Sequence, residues 1–275
     1  MGRISNTWQL AKTSWAVLRK DRELLWLPVL SMLVSLAVIA AVGVLTLVTT
    51  SAGSEAAEEF NPALIVLYVV AAFALGIISV FFNGALVAGA YERLTGGDPT
   101  VGSAVSRAFA RIGGLVPWAL LTTTVGLVLQ ALRDRAGGLG RIVTSMLGLA
   151  WEVVTFLTVP AIVIDNLGAI DGLKRSASLL RRTWGENLVA RVGFGLLGFL
   201  LVLPVGVVVA LLVASGSTAV AVAGIIVGVA WLLVVMVVLA ALNAIFQTAL
   251  YMYATTGTVP SGFEQAPLAQ SFELK

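Results

Sequence analysis

Neither cysteine nor histidine occurs among the 275 residues. The first absence excludes a disulfide framework and thiol chemistry. The second removes the commonest metal ligand and the side chain that most often moves protons near neutral pH. Charge is also scarce: Asp, Glu, Lys and Arg make up 11% of the chain, against roughly 25% in a soluble domain. The familiar catalytic motifs are missing too. There is no GxxxxGK[ST] loop, no HExxH and no Ser-His-Asp set, and Asp171-Gly172 begins a phosphotransferase-like motif without its downstream aspartates. No enzyme activity, catalytic residue, metal or cofactor is expected.

What is present is apolar. Hydrophobic residues form 59% of the chain and the mean hydropathy is +1.01, a surplus too large for the interior of a water-soluble protein of this size. Lipid is the expected solvent. The net charge of +3 and pI of about 9.5 fit Lys and Arg in loops beside a membrane, so no nucleic-acid partner is expected.

A hydrocarbon layer about 30 Å thick takes roughly 20 helical residues to cross. Six stretches qualify: Leu24–Val48, Ala63–Ala90, Leu115–Leu132, Ile142–Ile164, Leu188–Val213 and Thr218–Ala241. The first is longer than a secretory h-region and is read as a retained span rather than a cleaved signal. Ala214-Ser215-Gly216-Ser217 makes the last two a hairpin. The expected fold class is all-α: a polytopic bundle of six spans with three cytoplasmic interfacial amphipathic helices. Residues 1–254 form the membrane domain and 255–275, with Pro260, Gly262 and Pro267, a flexible tail.

Most Lys and Arg fall on one side of this arrangement, which places both termini in the cytoplasm. Arg133, Arg135 and Arg141 fall on the other side and leave the third and fourth spans least secure. The three amphipathic segments carry apolar stripes at Ile4, Trp8, Ala11, Trp15 and Leu18, at Val101, Val105, Phe109 and Ile112, and at Ile170, Leu173, Ala177, Leu180 and Trp184. Asn6 and Gln9 resemble a capping box for the first. Asp98-Pro99 is expected to start the second and Gly113-Gly114 to end it; Gly185 should close the third. Lys12, Arg19, Lys20, Arg107, Arg111, Lys174, Arg175, Arg181 and Arg182 flank the stripes and are the expected contacts to anionic lipid headgroups. The same segments also serve to cover the bundle ends.

Each amphipathic segment precedes two spans, so the chain reads as three copies of one unit, 1–97, 98–165 and 166–254. Asn83, Tyr91, Thr95 and Gly97 align with Asn243, Tyr251, Thr255 and Gly257. The second and sixth spans, at 1.5 Å per residue, overshoot a bilayer.

WQLAKTSWAVLRKDRELLWLP (Trp8–Pro28), FNGALVAGAYERLTGGDPTVGSAVSRAFARI (Phe82–Ile112) and VPAIVIDNLGAIDGLKRSASLLRRTWGEN (Val159–Asn187) together resemble an uncharacterised family of bacterial six-span membrane proteins. The last stretch is also distantly similar to the membrane portion of some glycerophosphodiester phosphodiesterases, whose soluble catalytic domain this chain lacks. The resemblance implies a bacterial cytoplasmic-membrane protein and carries over no activity.

Glu152, near the middle of the fourth span, is the polar residue with the strongest claim on function, because intramembrane acids usually face a bundle interior or a wet cavity. Asn83 and Asn243, at matching positions, either tie helices together or join Glu152 in a polar site. Arg191 is read as an interfacial anchor within reach of Asp165 or Glu186. Gly224 and Gly228 form a GxxxG, and Gly195 with Gly198 a second small-residue face, suited to close helix contact or dimerisation. Pro160 and Pro204 should bend their helices.

The expected function is that of a non-enzymatic scaffold or complex subunit with a basic, lipid-facing cytoplasmic surface. The partners would be membrane lipids and a second copy or another membrane protein. A small permease or channel built around Glu152 is the alternative, and an intramembrane enzyme comes third.

Overall fold

The computed structural model describes residues 3–51, 61–184, 193–261 and 263. All regular structure among them is helical: α1 Arg3–Lys20, α2 Trp26–Ser51, α3 Pro62–Leu94, α4 Val101–Ala110, α5 Ile112–Arg135, α6 Gly138–Thr155, α7 Thr158–Asp165, α8 Ala169–Trp184, α9 Gly193–Val213 and α10 Thr218–Thr256, with one 3-10 turn at Arg22–Leu25. Five stretches are long and apolar enough to cross a membrane: Arg22–Thr50, Pro62–Leu94, Ile112–Arg135, Gly138–Asp165 and Thr218–Thr256. The span expected at Leu188–Val213 corresponds to α9, whose apolar part Leu201–Val213 is shorter; residues 188–192 lie outside the described residues, as do Gly185, Glu186 and Arg191.

Several boundaries differ from expectation for physical reasons. Helix α4 is capped by Thr100, not by Asp98: the Ser103 amide donates to Thr100 Oγ1 (3.1 Å) while the Thr100 amide donates to Ser103 Oγ (3.0 Å). Asp98 is engaged by Arg93 instead. The joint between α4 and α5 falls at Arg111, and α5 runs through Gly113 and Gly114. Helix α1 already begins at Arg3, so Asn6 lies inside it. The side chains of Ile4, Trp8, Ala11 and Arg182 lie outside the described residues.

The described structure divides into two compact units. One draws on Met1–Leu25, Ala90–Pro99 and Leu179–Lys275. Here α1 packs on α9 and α10, and α9 on α10. The α9–α10 hairpin depends on glycine: a Cβ at Gly228 would meet Val209 Cγ2 at 2.6 Å, and one at Gly224 would meet Leu212 Cδ1 at 2.9 Å. The GxxxG stripe is thus engaged within the chain. Pro204 lies inside α9 and removes a backbone donor from it, and the Trp231 indole N–H donates to the Leu201 carbonyl at 3.1 Å, joining α10 to α9.

The C-terminal segment of this unit does not trail away after α10. Pro260 and Phe263 are buried, and Ser261 Oγ donates to the Leu94 carbonyl at 2.6 Å. Residues 264–275 lie outside the described residues. Asp21, 6% exposed, receives a two-pronged hydrogen bond from Arg93 through Nε and Nη2, and Nη2 also donates to Asp98 at 2.8 Å. One guanidinium thereby ties the turn after α1, the end of α3 and the loop beyond it. A planar fork is needed for this; a lysine ammonium cannot reproduce it.

The other unit draws on Trp26–Gly89 and Thr100–Ser178. Gly76 brings the α3 backbone against Thr123, and Gly84 brings it against Leu115, both on α5. Helix α5 packs in turn on α4, α6 and α7. In α2, Thr46 and Thr50 donate to carbonyls four residues back at 2.8 and 2.9 Å, so their hydroxyls need no partner outside the helix. Threonine is therefore tolerated in an otherwise apolar span.

Helices α3 and α10 share a design. At 1.5 Å per residue they extend about 50 and 58 Å, longer than a bilayer is thick. Their first halves are largely exposed, whereas residues 84–90 and 244–251 are buried. Both end alike: Thr95 Oγ1 donates to the Tyr91 carbonyl and Thr255 Oγ1 to the Tyr251 carbonyl, each at 2.9 Å. The left-handed residue that follows is Gly96 in one and Gly257 in the other, so the alignment of Gly97 with Gly257 is one residue out of register in conformation.

Removing either partner of the Asp21–Arg93 pair leaves the other charge poorly compensated, at a cost of about 3 kcal/mol. Arg93→Ala and Asp21→Asn should each lower the thermal midpoint of the detergent-solubilised protein markedly, and Arg93→Lys should recover only part of the loss. A midpoint unchanged in Arg93→Ala would contradict this role.

Candidate functional site

The polar chemistry of the second unit gathers around α6, α7 and α8. The expected fourth span is broken: α6 ends at Thr155 and α7 starts at Thr158. Pro160 accounts for part of this, since it cannot donate to a carbonyl four residues earlier. A broken helix leaves backbone groups unpaired, and in a membrane those groups must be satisfied by protein. Ser176 of α8 does so. Its hydroxyl donates to the Val154 carbonyl at 2.6 Å and accepts from the Leu157 amide at 3.1 Å, and the residue is fully buried.

Helix α8 can reach the break because it doubles back over α7. The chain reverses at Asn166, which takes a left-handed conformation (φ 55°). Gly172 then lies against α7: a Cβ there would sit 2.9 Å from Ile162 Cγ1 and 3.4 Å from the Thr158 carbonyl. Arg111 donates from Nε to the Val163 carbonyl at 3.2 Å, a cation at the negative end of the short α7. Thr158 Oγ1 is buried without a hydrogen-bond partner.

Further along α6, Trp151 stacks on Trp118 of α5 with centroids 6.1 Å apart, and its indole N–H donates to Thr122 Oγ1 at 3.4 Å. Trp118 is buried in this contact. Glu152 is exposed, and its carboxylate has no hydrogen bond or ion pair among the described residues. One helical turn earlier, Gly148 faces the guanidinium of Arg133.

The three residues expected to form a polar site are not joined by any hydrogen bond among the described residues. Asn83 is half-buried in α3, within the same unit as Glu152. Asn243 is half-buried in α10 and belongs to the other unit. A cavity of about 260 Å³ opens in the α9–α10 hairpin, but Val202, Val205, Val209 and Trp231 line it and Asn243 does not.

The basic residues fall into two groups. Lys12, Arg19, Lys20, Arg107, Lys174 and Arg181 are exposed. Arg111 and Arg175 are turned partly inward, Arg111 to Val163 and Arg175 to Asp165 at 3.9 Å. Lys174 also lies 3.6 Å from Asp171 on the surface.

The three expected stripes are only partly buried. Helix α4 buries Ala104 and Ala108 and leaves Phe109 57% exposed. Helix α8 buries Ala169, Gly172, Ser176, Leu179 and Leu180 and leaves Ile170 52% exposed. Helix α1 buries Ser14, Val17 and Leu18 and leaves Trp15 42% exposed. Leu18 and Leu180 thus face protein as their stripes imply, whereas Trp15, Phe109 and Ile170 stay outside; small residues in each buried face permit close backbone approach.

This arrangement, with five helices fit to span a bilayer, defines a multi-pass α-helical membrane protein. Within that class the chain belongs to a family of unknown function (DUF6159), whose model matches residues 59–263. No curated protein and no solved structure matches it.

Ser176 went unnoticed in the sequence because a lone serine on a basic helix carries no signal of the partner it serves. Ser176→Ala leaves one carbonyl and one amide unpaired in a buried setting, costing about 1–3 kcal/mol. Ser178→Ala, whose exposed hydroxyl only returns to the Arg175 carbonyl, should cost little. Thermal melts of the two variants in detergent check the contrast; equal midpoints would sink it.

Proposed function

We propose that this protein is a non-enzymatic scaffold or complex subunit of the bacterial cytoplasmic membrane, with six spans, both termini inside, and a basic surface that engages anionic lipid headgroups. The observation that carries the proposal is the exposed face of each amphipathic helix. On α1, Trp15 is flanked at helical spacing by Lys12 and Arg19, all exposed. On α8, Ile170, Lys174, Ser178 and Arg181 share one exposed face. On α4, Phe109 is exposed with Arg107, as is Ile112 at the start of α5. In water such apolar residues would be turned inward. At an interface they enter the acyl boundary while the cations meet phosphates, each cation near the surface being worth about 1 kcal/mol.

The six-span topology rests on adding α9 to the five longer candidates, and the inside termini on the excess of Lys and Arg at that face. A permease around Glu152, Asn83 and Asn243 draws less support, since no hydrogen bond links the three among the described residues and Asn243 belongs to a separate unit.

The test compares thermal stability in nanodiscs of phosphatidylglycerol and of phosphatidylcholine at low and high salt. The protein should be more stable in the anionic lipid, with the difference shrinking as salt rises. Lys12→Gln/Arg19→Gln/Lys174→Gln/Arg181→Gln should abolish the difference while leaving stability in phosphatidylcholine unchanged. Equal stability of the unaltered protein in both lipids would remove the headgroup reading.

A further inference from the structure

Arg133 and Glu152 both lie inside candidate spans of the α5–α6 hairpin, which also holds Asp134, Arg135 and Arg141 near its turn, and neither of the two has a side-chain partner among the described residues. Arg133 is two residues from the end of α5. A helical side chain leans toward the N-terminus of its own helix, so Arg133 is directed back along the span rather than out of it. Its Nη2 lies 3.7 Å from where a Cβ of Gly148 would be. Gly148 is ten residues beyond Gly138, the first residue of α6, which corresponds to about 15 Å along the helix. The guanidinium is therefore set alongside the middle of α6.

Glu152 follows Gly148 by four residues and shares its face. The same N-terminal lean directs its carboxylate toward Gly148, and so toward Arg133. An unpaired cation and an unpaired anion in hydrocarbon are each strongly disfavoured, and intramembrane charges pair with one another where they can.

We propose that Arg133 is the intramembrane counter-charge of Glu152, that Gly148 supplies the slot in which they meet, and that this pair locks the α5–α6 hairpin within one chain. The pair gives the acid within a span a counter-charge, taken from one of the three arginines, Arg133, Arg135 and Arg141, that fall on that side of the membrane. It assigns Glu152 a structural partner in place of a translocated cation or proton.

The slot has defined tolerance. A methyl group at 148 makes ordinary contact with the guanidinium, so Gly148→Ala is accepted, whereas Gly148→Leu displaces Arg133. The decisive experiment is a double-mutant cycle on the full chain in nanodiscs. Arg133→Gln and Glu152→Gln should each reduce the folded-to-unfolded ratio at a fixed temperature near the midpoint by about tenfold, equivalent to 1.4 kcal/mol. The double variant, with no charge left to strand, should recover most of that loss, as should the swap Arg133→Glu/Glu152→Arg. Losses that simply add would overturn the proposal.

Because the chain has no cysteine, Arg133→Cys/Glu152→Cys gives a clean cross-linking background with the same neutral pair. A short thiol-reactive cross-linker should join the two positions within a monomer. Cross-links found only between copies would place the two charges at an oligomer interface and refute the intrachain pair. No cross-link at all would separate them, with the same consequence.

Discussion

Hydrocarbon offers a peptide group no hydrogen-bond partner, and most features of this fold answer to that constraint. Long uninterrupted helices satisfy their own backbone. Where α6 gives way to α7, Ser176 pairs both the freed carbonyl and the freed amide. Threonines return their hydroxyl protons to carbonyls one turn back. Irregularity is tolerated where a specific side chain repairs it.

The same solvent changes what amphipathicity means. In water the bulky apolar face of a helix marks the core. Here Val17, Leu18, Leu179 and Leu180 are buried together with Ser14, Ala104, Ala108, Gly172 and Ser176, while Trp15, Phe109 and Ile170 face outward. Where the surroundings are apolar as well, a large apolar side chain can face either way, and the small ones permit the close approach. Local periodicity disclosed the helices but not which of their apolar residues are buried.

Charge is used sparingly and in pairs or at the surface. Arg93 holds Asp21 and Asp98, and Arg111 caps α7. Exposed Lys and Arg on α1, α4 and α8 accompany the exposed Trp15, Phe109 and Ile170. Glu152 stands apart from both patterns, as an exposed acid within α6.

The sequence alone determined the helical class, five of the six expected spans and the excess length of α3 and α10, because each follows from local apolar runs and the fixed rise of a helix. It also disclosed the matching ends of α3 and α10, since Tyr-x-x-x-Thr makes its bond within one turn. Only the tertiary structure decided which face of each amphipathic helix is buried, that Thr100 rather than Asp98 caps α4, that the chain after α10 is held by the Leu94 carbonyl, and that Arg93, Ser176 and Gly148 matter. These depend on partners distant in sequence. A residue such as Ser176 acquires its role from a helix break twenty positions earlier, which no local pattern records.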